Sequence, residues 1–66
     1  MNLKVNGKEI KGEGIASLSD LVKTKNLNPD FIAISHNEEI ISKDRWESVM
    51  LKNNDVVDIV SFMVGG

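Results

Sequence analysis

The sequence predicts an α+β fold, a mixed sheet of four to five strands with one main helix packed across one face. Three observations carry this. Strand-like segments lie at both ends of the chain, a single amphipathic helix separates them, and 66 residues leave room for one core only. A chain this short buries only about 60% of the surface its unfolded form exposes. Ordering it costs roughly 1.5 kcal/mol per residue, so the margin after apolar burial is thin. A large cleft with walls of its own is not expected; a binding module, carrier or subunit suits the size better.

Leu3 and Val5 alternate with Lys4 and Asn6, the two-residue period of a half-buried strand. Asn6-Gly7 follows, a hairpin signal because both turn residues tolerate positive φ. Lys8 to Lys11 reads as the returning strand with Ile10 pointing inward, and Gly12-Glu13-Gly14 breaks it. Ser17 is the expected helix N-cap, with Asp20 placed as in a capping box. Leu18, Leu21 and Val22 then share one face, and Lys23 and Lys25 lie where the helix dipole favours cations. Asn26 to Pro29 ends the helix, since a residue before proline avoids the helical region. With an apolar stripe on one side only, so short a helix must lie across a sheet to be stable.

Phe31-Ile32-Ala33-Ile34 is a continuous apolar run, which predicts a central strand covered on at least part of both faces. His36 to Glu39 reads as a turn and Ile40-Ile41 as a brief strand. Trp46 and Val49 are spaced for a single helical turn with the indole tucked inward. Asn53-Asn54-Asp55 is a turn, and Val56 to Val64 is the longest strand candidate. The resulting β-β-α-β-β-turn-β order, with first and last strands pairing in parallel at mid-sheet, is the β-grasp or ubiquitin-like arrangement. Residues 1–64 make the domain, and Gly65-Gly66 are expected to form a flexible tail.

Composition removes several function classes. Eight basic and ten acidic residues give a net charge of −2, so no basic excess drives binding to nucleic acid. There is no cysteine, hence no disulfide framework, thiolate zinc site or side-chain thiol chemistry. No apolar run approaches the roughly 20 residues of a membrane span, and Met1 to Val5 lack a signal-peptide core. A cytoplasmic protein with no membrane partner is the expectation. His36 is the only histidine and reads as an ordinary turn residue; adjacent Ser35 would point to the opposite face, so the two make no nucleophile–base pair. Asp44 with Glu47, and Asp20 with Lys23, read as solvated helical charges. Asp55 and Asp58 lack the carboxylate pattern of a calcium loop. No catalytic residue, bound cofactor or metal is expected.

The informative feature is the C-terminus. Two terminal glycines arise by chance in roughly one chain in 200 at background glycine frequency. They directly follow a strand pattern, where glycine is a poor choice for docking a terminus but a good one for a thin tail. Without Cβ atoms, Gly65 and Gly66 can enter a narrow tunnel and present a carboxylate. With a reference pKa of about 3.3–3.7 that group is an anion at neutral pH, able to attack the α-phosphate of ATP on a partner enzyme. The resulting acyl-adenylate reacts with sulfur nucleophiles or amines. A frayed end without a role remains the alternative at this point.

Along nearly its whole length the chain resembles the ThiS family, the small sulfur carriers of thiamine biosynthesis. The resemblance rests on Val5-Asn6-Gly7-Lys8, the helix Leu18 to Val22, Ile32 to Asn37, Asp44-Arg45-Trp46, and Val56 to Gly66 with its Gly-Gly tail. Two departures stand out. Asn54-Asp55 replaces the usual Gly-Asp before the last strand, which asparagine's tolerance of the left-handed region permits. Arg45 and Trp46 are adjacent rather than spaced.

The resemblance implies a cycle. A ThiF-like enzyme would adenylate Gly66 with ATP and magnesium, a desulfurase-type donor would convert it to a thiocarboxylate, and a thiazole synthase would accept the sulfur. The carrier itself would catalyse nothing. By strand parity Val57 and Ile59 face the helix, while Val60, Phe62 and Val64 face outward with Val56 and Asp58. An exposed apolar row ending at the reactive tail is what a docking patch needs, so Val60, Phe62 and Val64 are the expected partner-binding residues. The rival readings are the small subunit of molybdopterin synthase, a lysine-conjugated modifier, and a plain interaction domain.

Overall fold

The computed structural model describes residues 1–62. In chain order its elements are β1 (Asn2–Val5), β2 (Lys8–Lys11), α1 (Leu18–Thr24), a 3₁₀ turn (Pro29–Phe31), β3 (Ile32–His36), β4 (Glu39–Ile41), a second 3₁₀ turn (Lys43–Arg45) and β5 (Asp55–Ser61). The sheet has five strands in the order β2-β1-β5-β3-β4. β1 and β5 run parallel at its middle, and the outer pairs are antiparallel hairpins. This is the β-grasp arrangement that the sequence predicts.

The local chemistry of each turn is visible. Asn6 and Gly7 have φ of 51° and 79°, the left-handed pair that a two-residue hairpin requires. Asn6 also does more. Its backbone N–H donates to the Val57 carbonyl at 2.9 Å, and its side-chain Oδ1 accepts from the Ile59 N–H at 2.7 Å. The parallel ladder therefore continues one step past the end of β1 through a side chain.

The helix forms as expected. Ser17 Oγ accepts from the Asp20 N–H at 3.2 Å, and Asp20 Oδ2 accepts from the Ser17 N–H at 3.2 Å, closing the capping box. Leu18, Leu21 and Val22 are buried against Leu3, Val5, Ile34 and Val57. Each such side chain contributes about 1.5–3 kcal/mol on burial. Trp46 is also buried, and its Nε1–H donates to the Ile41 carbonyl at 3.0 Å, which satisfies the one polar atom of the indole.

Two expectations need correction. Phe31 to Ile34 is not a strand covered on both faces. The strand starts at Ile32, its burial alternates, and Ala33 and Phe31 are exposed. The reason is that the described residues supply one α-helix, enough to cover one face of the sheet and no more. His36 is not a turn residue: it ends β3, and the turn consists of Asn37 and Glu38, both at positive φ. The last strand runs Asp55–Ser61; Phe62 lies just past it, and the expected continuation through Met63 and Val64 falls outside the described residues.

Candidate functional site

The candidate site grows from β5. Pairing with β1 and β3 on its two edges holds this strand at the centre of the sheet. Its alternation then divides the side chains cleanly. Asp55, Val57 and Ile59 turn toward the helix, with Val57 fully buried. Val56, Asp58 and Val60 turn to the open face, and Val60 is 61% exposed. Phe62 follows on the same side and is 46% exposed. The parity expected for Val60 and Phe62 is thus what the structure has, while Val64, Gly65 and Gly66 lie outside the described residues.

Neighbouring strands widen this face. Ala33 pairs with Val60, and Ser35 pairs with Asp58 on one side and Ile40 on the other. Ile40 is 80% exposed. The Phe62 N–H donates to the Phe31 carbonyl at 2.8 Å, carrying the β3–β5 register one step past the strand and setting two half-exposed phenylalanines side by side. Phe31 and Ile40 are members that the sequence reading missed. The signal was the shared parity of residues 31, 33 and 35 with 58, 60 and 62, which means nothing until the cross-strand register is known. Large apolar groups at this exposure, gathered on one face, have the character from which contact surfaces are built.

A second cluster lies at the opposite end of β5. His36 Nε2 is 2.7 Å from Asp55 Oδ2, the Asn37 side-chain amide donates to Asp55 Oδ1 at 3.2 Å, and the Lys52 N–H donates to Asp55 Oδ2 at 2.9 Å. Asn37 Oδ1 in turn accepts from the Val56 N–H at 2.9 Å. Burial raises the Asp55 carboxyl pKa, but these hydrogen bonds and the charge of His36 outweigh it, leaving the group below the usual carboxylate range. From Asp55 to Phe62 the extended chain covers about 23 Å, so this cluster stands well away from Phe62. It is a clasp holding β3, β5 and the turn between Lys52 and Asp55. Among the described residues no group of three or more histidine or acidic side chains is placed to hold a metal ion.

The comparisons with known proteins agree with this fold. A family model described as the ThiS family matches residues 3–66. The chain belongs to the ThiS family. It is 35% identical over 65 residues to the sulfur carrier protein ThiS of Bacillus subtilis, covering 97% of this chain and 98% of that one. It is 26% identical over 66 residues to a thiazole synthase of Magnetococcus marinus, where the match takes up 20% of that protein's length. The crystal structure of the thiamine biosynthesis protein ThiS from Geobacter metallireducens superposes with a TM-score of 0.82 at 28% identity, with both chains fully covered. Asn54, standing where a ThiS chain usually has glycine, has a φ of 71°, so asparagine does fill the left-handed position there.

Proposed function

We propose that Gly66 is the carried site of this ThiS chain and that the open face of β5 docks the enzymes that act on it. ThiS membership makes the chain a sulfur carrier of thiamine biosynthesis, a substrate handed between enzymes and not a catalyst itself. In the proposed cycle the Gly66 carboxylate oxygen attacks the α-phosphorus of ATP, and pyrophosphate leaves. A sulfur nucleophile then adds to the acyl carbon and displaces AMP, leaving a thiocarboxylate. ATP and magnesium belong to the adenylating enzyme, for which a ThiF-like protein is the proposed partner. A desulfurase-type donor supplies the sulfur. Released as hydrosulfide, it gives the thiocarboxylate directly. Carried as a persulfide, it gives an acyl disulfide, which a thiol outside this cysteine-free chain reduces, leaving the thiocarboxylate and a disulfide on the donor side. A thiazole synthase receives it, a partner supported by the Magnetococcus protein, which carries a ThiS-like segment within its own chain. The cycle is proposed for the cytoplasm, in keeping with a cysteine-free chain.

The observation that carries this reading is the exposed row Val60 and Phe62, which in the sequence stands two residues before a terminal glycine pair. An apolar surface leading to two residues without side chains fits an enzyme that grips the domain and threads its end. Deleting Gly65 and Gly66 tests it. In a strain lacking its own ThiS, the intact chain should restore growth without thiamine and the deletion should not, although its thermal unfolding and partner binding stay near those of the intact chain. Restoration by the deleted chain would refute Gly66 as the carried site.

A further inference from the structure

Asp58 sits where its residue type is uncommon. It occupies the middle of β5, a strand with neighbours on both edges, and aspartate is depleted from strands. It is exposed on the open face, with Val56 before it and Val60 after it on that face, and beyond its cross-strand partner Ser35 stands Ile40. The ion pairs among the described residues are His36–Asp55 and Lys43–Asp30, so no cation accompanies Asp58. Lys4, the basic residue of β1, registers with Val56 instead.

Resting on the docking reading above, we propose that Asp58 is the charged centre of the docking face and that its occupant is the adenylating enzyme, which brings an arginine or lysine onto it. Reach fixes the location. Four residues lead from Phe62 to Gly66, spanning at most about 14 Å when extended. An enzyme holding Gly66 therefore has its body against this end of the sheet. Asp58 lies four residues back along β5 from Phe62, about 13 Å, inside a contact patch of ordinary size, which covers roughly 800 Å² per partner. Covering a carboxylate without giving it a cation is penalised. Framed by Val56, Val60 and Ile40, a cation that does arrive is shielded from water and attracted more strongly than at an open rim. The face thus rejects partners that are merely apolar and selects one with a basic anchor.

Calorimetric titration of the full chain into a ThiF-like adenylating enzyme tests this, using wild type, Asp58→Asn, Asp58→Lys, Asp58→Glu and Phe62→Ala, each first checked for unchanged thermal unfolding. Asp58→Asn should weaken binding about 10-fold and Asp58→Lys about 100-fold, with Asp58→Glu close to wild type. Raising salt from about 0.05 to 0.5 M should weaken wild type more than Asp58→Asn. If Phe62→Ala weakens binding while the Asp58 variants bind as wild type, the basic-anchor inference falls and the docking face stands. If none of the variants weakens binding, both fall. If Asp58→Asn self-associates in sedimentation with enzyme affinity unchanged, Asp58 serves to keep copies apart and the inference is overturned.

Discussion

His36 Nε2 lies 2.7 Å from Asp55 Oδ2, joining the end of β3 to the start of β5 across 19 positions of sequence. With the Lys52 N–H and the Asn37 amide on the same carboxylate, Asp55 holds the turn that delivers the chain into the central strand. Its role is structural, and it keeps β5 in the register that points Val60 and Phe62 outward.

Replacing Asp55 by alanine should therefore be costly. It removes the acceptor of three hydrogen bonds, two from side chains and one from the Lys52 backbone, at a site only 8% exposed. A loss of about 2–3 kcal/mol is expected, read as a lower urea midpoint.

The same carboxylate sets an acid limit. Its pKa is lowered in the fold, so the unfolded chain binds the proton first. The stabilisation is complete above the unfolded value of about 3.9 and is lost as pH falls through the lower folded value. Urea midpoints measured from neutral pH into acid should show wild type losing an advantage over Asp55→Asn below about pH 4. Parallel curves for the two proteins would mean that Asp55 does not supply it.

Glu38 holds a φ of 72°, a left-handed position in the β3–β4 turn without the usual glycine or asparagine. Left-handed backbone costs a residue with a Cβ roughly 1–2 kcal/mol, part of which glycine returns through its freer unfolded chain. Glu38→Gly should stabilise by about 0.5–1 kcal/mol, raising the melting temperature.

Trp46 closes the helix side of the core. Trp46→Phe keeps much of the buried area but leaves the Ile41 carbonyl without its indole donor. A cost of about 1–3 kcal/mol is expected, and Trp46→Ala should reach about 3–5 kcal/mol. Since the fluorescence of the only tryptophan is lost in both, circular dichroism is the appropriate measurement.

Phe62→Ala separates folding from docking. The ring is 46% exposed and lies past the end of β5, so thermal unfolding should shift little. Affinity for the adenylating enzyme should fall about tenfold or more, as for an aromatic anchor.

Much of this was legible in the sequence because it is local. Asn6-Gly7 announced its hairpin, Ser17 and Asp20 their cap, and the alternation around Val57 the inward and outward faces of β5. What stayed hidden depends on register. His36 and Asp55 meet only because His36 pairs with Val57 and β5 begins two residues earlier. Phe31 and Ile40 join the open face only through β3 and β4 neighbours. An apolar residue on an uncovered face looks, in sequence, the same as one in the core.

The most direct test of the central claim is intact mass after incubating the chain with a ThiF-like adenylating enzyme, ATP, magnesium and a sulfide source, with a Gly66-deleted chain alongside. The account predicts a gain equal to exchanging one oxygen for one sulfur in the full chain and none in the deletion. An unchanged mass with a cognate, competent enzyme would contradict it.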